Sequence, residues 1–335
     1  MDLSGKRLMV IGGGGFIGSH LVEALAREDV AEILVFDNFC RGSMANLETA
    51  LKDPRVKVYE PTGDILHGDV LTSAMRGMDG VFHLAALWLL HCQDFPQAAF
   101  DVNIRGTFNV LEACRAAGVK RLVYSSSASV YGDAQEVPMT EDHPFANKTF
   151  YGATKIAGEQ MCRAYHHRFG LNYVGLRYMN VYGERQDDRG AYTSVVMAML
   201  GRIARDEPLV VYGDGSQTYD FIHVTDVARS NVRAMAADTS DQFFNVGRGI
   251  PTSIKEFAEA IMRVSGRNPG IEHRPAPAAR GFVTHRVGST EKARRLLGFE
   301  ASVDLDEGIR RLLRARGIEP AAEIPPTGRE ALRTQ

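Results

Sequence analysis

One tryptophan and four scattered cysteines stand among 335 residues, and there is no long apolar run and no dominant charge. Cys40, Cys92, Cys114 and Cys162 form no CxxC pair, which argues against a disulfide framework or a zinc knuckle at this size. The longest apolar stretch, residues 81–90, is broken by His83 and is too short to cross a bilayer. Lys and Arg number 39 against 41 Asp and Glu, a formal net charge of −2. The sequence-independent pull toward nucleic acid or an anionic membrane is therefore missing, and neither is expected as a partner. Free thiols, and no leader-like stretch before Arg7, predict a cytoplasmic protein. No metal site is expected. His91 and His223 have no ligand partners at metal spacing and read as structural, and His166-His167 lies among arginines on a solvated face. Repeats and low-complexity tracts are absent.

What is present is a chain rich enough in apolar residues, 44%, to fill a large core. At roughly 150 residues per domain its length suggests about two domains. Short apolar runs at 7–12, 32–37, 56–60, 80–86, 121–127 and 173–178 read as strands. Between them, helical spacing marks 16–27, 103–117 with Gly118 as its stop, and 150–169 closed by Gly170. Strands alternating with helices predict an α/β fold with a parallel sheet over residues 1–180. Beyond Asn180 the pattern loosens. Helices at 194–205, 224–237 and 253–264 mix with the short strands LVVYG and FFNVG, which predicts a smaller domain over 181–318 with some segments returning to the first. The tail, 319–335, carries three prolines and few aliphatics and is expected to be flexible.

Gly12-Gly13-Gly14-Gly15-Phe16-Ile17-Gly18 follows the first strand and opens the first helix. Two spacings fit it, Gly12/Gly15/Gly18 and Gly13/Gly15/Gly18. In either, glycine permits the tight turn, backbone approaches a pyrophosphate, and the helix N-terminus offers free N–H groups. Asp37, ending the second strand about 20 residues on, suits a ribose 2′-hydroxyl and repels a 2′-phosphate, which favours NAD over NADP, with Arg41 close by. Asp64-Ile65 is expected against the adenine.

A second constellation lies further on. Ser125-Ser126-Ser127 ends the fifth strand, and Tyr151 and Lys155, at i and i+4, share one face of the helix that opens near Phe150. A tyrosine used as a base near neutral pH must lose much of its usual pKa of about 10. A lysine ammonium and an oxidised nicotinamide are expected to supply the positive field that does so, with a serine hydroxyl holding the reacting oxygen.

GGGGFIG, Asp37-Asn38, Gly63-Asp64-Ile65, HLAA at 83–86, Asn103-x-x-Gly106-Thr107, YSSSASVYG at 124–132, YGATK at 151–155, LRYMNVYG at 176–183 and GDGSQTYDFIHVTDVA at 213–228 follow in order. The set resembles the extended short-chain dehydrogenase/reductases, in particular the NAD-dependent nucleotide-sugar epimerases and dehydratases of the UDP-glucose 4-epimerase kind, over roughly residues 5–315. That resemblance implies a Rossmann-type doubly wound sheet with a smaller mixed α/β C-terminal substrate domain. It implies Ser127, Tyr151 and Lys155 as the catalytic triad. Gly12, Gly15, Phe16 and Ile17 would touch the pyrophosphate, and Asp37, Asn38, Asp64 and Ile65 the adenosine. Leu84, Ala85, Ala86, Ser125 and Tyr178 would complete the cofactor site, with Asn103 behind it. Leu87, Trp88, Ser127, Asn180, Tyr212, Tyr219 and Arg280 would face the substrate. A homodimer through the helices near 103 and 150 is implied, with Leu111, Ala113, Ala157 and Met161 as its surface.

The chain departs from that pattern in places. Ile11 stands where the family usually has threonine. Tyr219 replaces the arginine that grips the diphosphate, and a phenol brings one hydrogen bond and no charge. Arg280 lies one residue from the family's later arginine. Ala128-Ser129 stand where 4,6-dehydratases carry an Asp-Glu pair for water elimination. The expectation is therefore C4 epimerisation of a UDP-sugar through a transient 4-keto sugar. The alternatives are a 4,6- or 5,6-dehydratase or a 4-reductase, with Glu136, Glu141 or Cys92 as a substitute acid, and a non-catalytic dinucleotide sensor.

Overall fold

Seven parallel strands, built from nearly continuous apolar runs, organise the computed structural model of the protein, which describes residues 1–187, 194–275 and 283–322. They begin with β1 (Arg7–Ile11), β2 (Glu32–Phe36), β3 (Val56–Val58), β4 (Gly80–His83), β5 (Arg121–Ser127) and β6 (Tyr173–Tyr178). Then come β7 (Asn180–Tyr182), β8 (Leu209–Tyr212) and β9 (Thr218–His223), and β10 (Gln242–Val246) returns to complete the sheet. Its order is β10-β6-β5-β4-β1-β2-β3, and each pairing is parallel. FFNV, read from the sequence among the elements after Asn180, is thus the strand beside β6, with Phe243, Phe244 and Val246 buried. Apolar side chains on both strand faces are what a doubly covered sheet requires.

Helices cover both faces. On one side α1 (Phe16–Leu25) lies against α8 (Val224–Ala236), burying Leu21, Val22 and Leu25 with Val227, Ala228 and Met235. On the other, α2 (Gly68–Ala74), α5 (Gly106–Ala117) and α6 (Phe150–Phe169) bury Leu71, Val110, Leu111, Cys114 and Cys162. The short α3 (Leu89–Asp94) and α4 (Pro96–Ala99) lead into a π-helical turn, Phe100–Arg105, that feeds α5. The helix expected over 103–117 is therefore two pieces. Gly118 and Gly170 end their helices in the left-handed conformation that glycine favours. A third apolar cluster gathers α7 (Val195–Ala204), α9 (Ile254–Ser265) and α11 (Leu305–Ala315) beside β8 and β9. Around them lie β11 (Pro251–Ser253), β12 (Ile271–Arg274), β13 (His285–Arg286) and α10 (Glu291–Leu297).

Leu111 and Ala113, expected on a dimer surface, are buried in the core because their helix turns them toward the sheet. Exposed apolar side chains on these elements include Phe100, Phe108, Phe150 and Phe169. Of the tail, only residues 319–322 are described, and the Ala321 N–H bonds to the Val264 carbonyl. Among the described residues, no helix is long and apolar enough to cross a membrane.

Candidate active site

β1 and β4 are neighbours in the sheet whose chains leave in opposite directions, and a crevice opens at their carboxyl ends, where such sheets bind ligands. The cavity there holds about 750 Å³. Gly12, Gly15, Phe16, Ile17, Asp37, Asn38, Asp64, Ile65, Leu84, Ala85, Ala86, Ser125, Tyr151, Lys155 and Tyr178 all line it, as do Leu87 and Trp88. The loop fits a closely approaching dinucleotide. Gly12 has φ +83°, and a Cβ there would stand 2.8 Å from the Ala85 nitrogen. A Cβ on Gly18 would meet the Gly12 carbonyl at 2.0 Å. Of the two glycine spacings, Gly12/Gly15/Gly18 is thus the one whose first and last members the backbone demands. Gly15 caps α1 without a side-chain partner, so the first N–H groups of that helix face the crevice unsatisfied by any cap.

Asp37 is buried at the end of β2, and burial raises its pKa against the pull of two backbone N–H bonds, from Phe39 at 2.7 Å and Gly14 at 2.8 Å. Its carboxylate therefore holds the glycine loop as well as facing the crevice. Asn38 donates to Asp64 at 3.1 Å. Arg41 is engaged by Asp187 at 2.9 Å and stacks over the Trp88 ring at 5.0 Å, so it is committed within the protein.

Tyr151 and Lys155 project from the first turns of α6, which Thr149 caps by accepting from the Gly152 N–H. Ser127, at the end of β5, is the neighbouring hydroxyl whose hydrogen bonding lowers the Tyr151 pKa. Lys155 Nζ donates to the Ser125 carbonyl at 2.7 Å and lies 5.7 Å from the Tyr151 ring centre. The electrostatics correct one expectation. Burial pushes Tyr151 up to about 12, and the groups that oppose it are Ser127 and Arg286. Lys155 is itself pushed down to about 8 by burial. The apolar surroundings that organise the pair penalise charge on both. His83, on β4, is neutral: burial drives it down to about 3, and its Nε2 meets the Thr107 hydroxyl at 3.0 Å.

Other expected residues lie elsewhere. Asn103 sits in the π-helical turn and spends its amide within the protein. It accepts from the Leu87 N–H at 2.7 Å and donates to the Leu87 carbonyl and the Thr154 hydroxyl, so it shapes the wall of the crevice without lining it. Asn180, Tyr212 and Tyr219 line neither described cavity. Tyr212 is exposed on β8, and Tyr219 donates to the Val283 carbonyl at 2.9 Å. Arg280 lies outside the described residues. His223 is fully buried and stands 3.2 Å from Glu184.

Three supporting residues were not read from the sequence. Glu159, one turn beyond Lys155 on α6, accepts from Ser126 at 2.6 Å and from Arg177 of β6 at 2.7 and 2.8 Å. This buried ion pair pins the serine-bearing end of β5, and its signal was the continued i, i+4 spacing from Tyr151 through Lys155. Asn231 accepts from the Tyr178 hydroxyl, which also meets Ser125 at 2.9 Å. Arg286 reaches the site from β13, which pairs with β9 so that Arg286 stands opposite Tyr219.

The comparisons with known proteins agree with this geometry. The family described as "NAD dependent epimerase/dehydratase family" matches residues 8–247. UDP-glucose 4-epimerase of Mycolicibacterium smegmatis is 34% identical over 307 residues, spanning 90% of this chain and 96% of that one. Among solved structures, UDP-glucose 4-epimerase from Thermotoga maritima with UDP-glucose has a TM-score of 0.85 at 30% identity, covering 93% of this chain and 98% of that one. A dTDP-glucose 4,6-dehydratase from Streptomyces venezuelae, with NAD bound, has a TM-score of 0.84 at 26% identity over 93% and 98% of the two chains.

Proposed function

The chain belongs to the NAD-dependent epimerase/dehydratase family, and from that premise we propose that it is an NAD-dependent 4-epimerase of a nucleotide sugar, a UDP-sugar above all. The observation that carries this reading is the Tyr151 hydroxyl, which faces the dinucleotide crevice in contact with Ser127 and above Lys155, while Ala128 and Ser129 supply no acid–base pair for elimination. NAD, when bound, supplies the hydride acceptor, the donor for the return step and a positive charge. The chain's own groups do the rest. The Tyr151 oxygen takes the proton of the sugar's C4 hydroxyl, and Ser127 holds that hydroxyl in line. The Lys155 ammonium, fixed by the Ser125 carbonyl, favours the phenolate against burial. Once the C4 ketone has turned in the cleft, Tyr151 would return the proton to its oxygen while bound NAD would supply hydride to the other face, with no net redox change.

The dehydratase reading lacks a partner for Tyr151. Glu136 is exposed, and Glu141 accepts from the Asn245 N–H at 2.8 Å. Burial pushes the Cys92 thiol up to about 11, and it donates to the Leu87 carbonyl. The purified protein should convert one of UDP-glucose, UDP-N-acetylglucosamine or UDP-glucuronate to its C4 epimer. Loss of water or CO₂ in place of epimerisation sinks the reading. The non-catalytic alternative fails if turnover vanishes in Tyr151→Phe while NAD stays bound. We further propose a homodimer through α5 and α6, where Phe108, Tyr165 and Phe169 form an aromatic row with ring centres 6.3 and 5.3 Å apart.

A further inference from the structure

A second cavity, about 310 Å³, lies beside Thr149, the N-cap of α6. It is bounded by residues 132–135, by residues 146–149 just ahead of Tyr151, and by Val283 and Arg286. Arg286 is the notable member. Its Nε is buried without an acceptor, and among the described residues its guanidinium makes no hydrogen bond or ion pair. Its charge is felt by Tyr151, Tyr219 and Asp133. None of these takes it up as a partner. Tyr219 donates to Val283, and Oδ1 of Asp133 accepts from the Thr284 and His285 N–H groups at 2.9 and 3.1 Å. A half-desolvated guanidinium with no acceptor is costly unless an anion meets it. The exposed Lys148 at the cavity's edge adds a second positive group.

Resting on the epimerase reading above, we propose that Arg286 recognises a carboxylate carried by the sugar ring itself, so that the substrate is a nucleotide-linked uronic acid and not a neutral hexose. Of the two anions a nucleotide sugar can bring, the reach of Arg286 to Tyr151 favours one on the sugar ring. Arg286 and Thr149, the N-cap of α6, both line this cavity, and the Arg286 charge is felt by Tyr151, the residue that meets the sugar in the epimerase reading. A carboxylate offers the planar pair of acceptors that a guanidinium fork matches, whereas ring hydroxyls leave its charge uncompensated.

Calorimetric titration of the NAD-loaded protein with UDP-glucuronate, UDP-glucose and UDP tests this without relying on turnover. The wild type should bind UDP-glucuronate more tightly than UDP-glucose. In Arg286→Gln, affinity for UDP-glucuronate should fall by about 30-fold, as expected for a charge-assisted hydrogen bond, while UDP and UDP-glucose change by less than about 3-fold. Arg286→Lys, which keeps the charge, should fall between. An equal loss for UDP would put Arg286 on the diphosphate, and a wild type that binds UDP-glucose as well as UDP-glucuronate overturns the proposal whether or not either variant folds. The products separate the two readings. A C4 epimer formed without any uronate preference sinks this inference alone, whereas a uronate preference followed by CO₂ release supports it and sinks the epimerase assignment.

Discussion

Burial works against charge at both Tyr151 and Lys155, the pair proposed to act on the sugar, and that conflict is measurable. Tyr151→Phe should lower kcat by about 10³-fold, within the usual range for a positioned acid–base group, while the protein still retains NAD. Unaltered turnover would remove Tyr151 from the chemistry. Lys155 makes a pH prediction with a definite sign. Its folded pKa, about 8, lies below the ordinary 10.5, so below pH 8 both folded and unfolded chains carry the ammonium and the burial penalty is fully present. Between pH 8 and 10.5 the unfolded chain holds more protons, so this group's contribution to stability rises with pH. Denaturant melts of the wild type minus those of Lys155→Met should show that upward slope, and a flat or falling difference contradicts it. Tyr151 and Lys155 share a helix face that their four-residue spacing makes legible, and Ser127 is marked by the serine run that ends an apolar strand. Arg286 was not, because it meets the site only through the pairing of β13 with β9.

At the scale of elements, the glycine loop and the β5–α6 junction carry the site. Gly18→Ala would drive a methyl into the Gly12 carbonyl, so the protein should lose about 2 kcal/mol of stability and its retained NAD together, read as a lower Tm and an emptied cofactor absorbance. Full NAD retention would mean that the loop relaxes freely. Glu159→Ala strands the Arg177 guanidinium, which is 4% exposed, and should cost about 3–5 kcal/mol in chemical denaturation. A cost below about 1 kcal/mol would show that Arg177 finds other acceptors. The boundaries of β5, α6 and β6 were readable because apolar runs and glycine stops mark them sharply. The pieces around residues 89–105 were not. There Pro96 and the π-helical turn respond to Asn103, whose amide is drawn to Leu87 and Thr154 by tertiary contacts that no local pattern encodes. Likewise β10 reads as a lone apolar run, and its place beside β6 follows from the packing of α8 against α1, which returns the chain to the sheet.

For the whole molecule, the aromatic row on α5 and α6 makes association predictable. Phe108→Asp should shift the protein from dimer to monomer in light scattering, and a wild type that is already monomeric rules the interface out. The walls of the second cavity are sewn together. The strand bearing Arg286 is tied to the loop after β5 by bonds from the Thr284 and His285 nitrogens to Asp133, and by the Met139 nitrogen to the Val287 carbonyl at 2.8 Å. Those stitches fix the segment that carries Arg286 against the chain between β5 and α6, which bounds the second cavity. A ketone that slipped out midway would leave its enzyme with the cofactor in the wrong redox state, idle until something else reset it. A site whose walls stay tied together through turnover would make each such accident rarer.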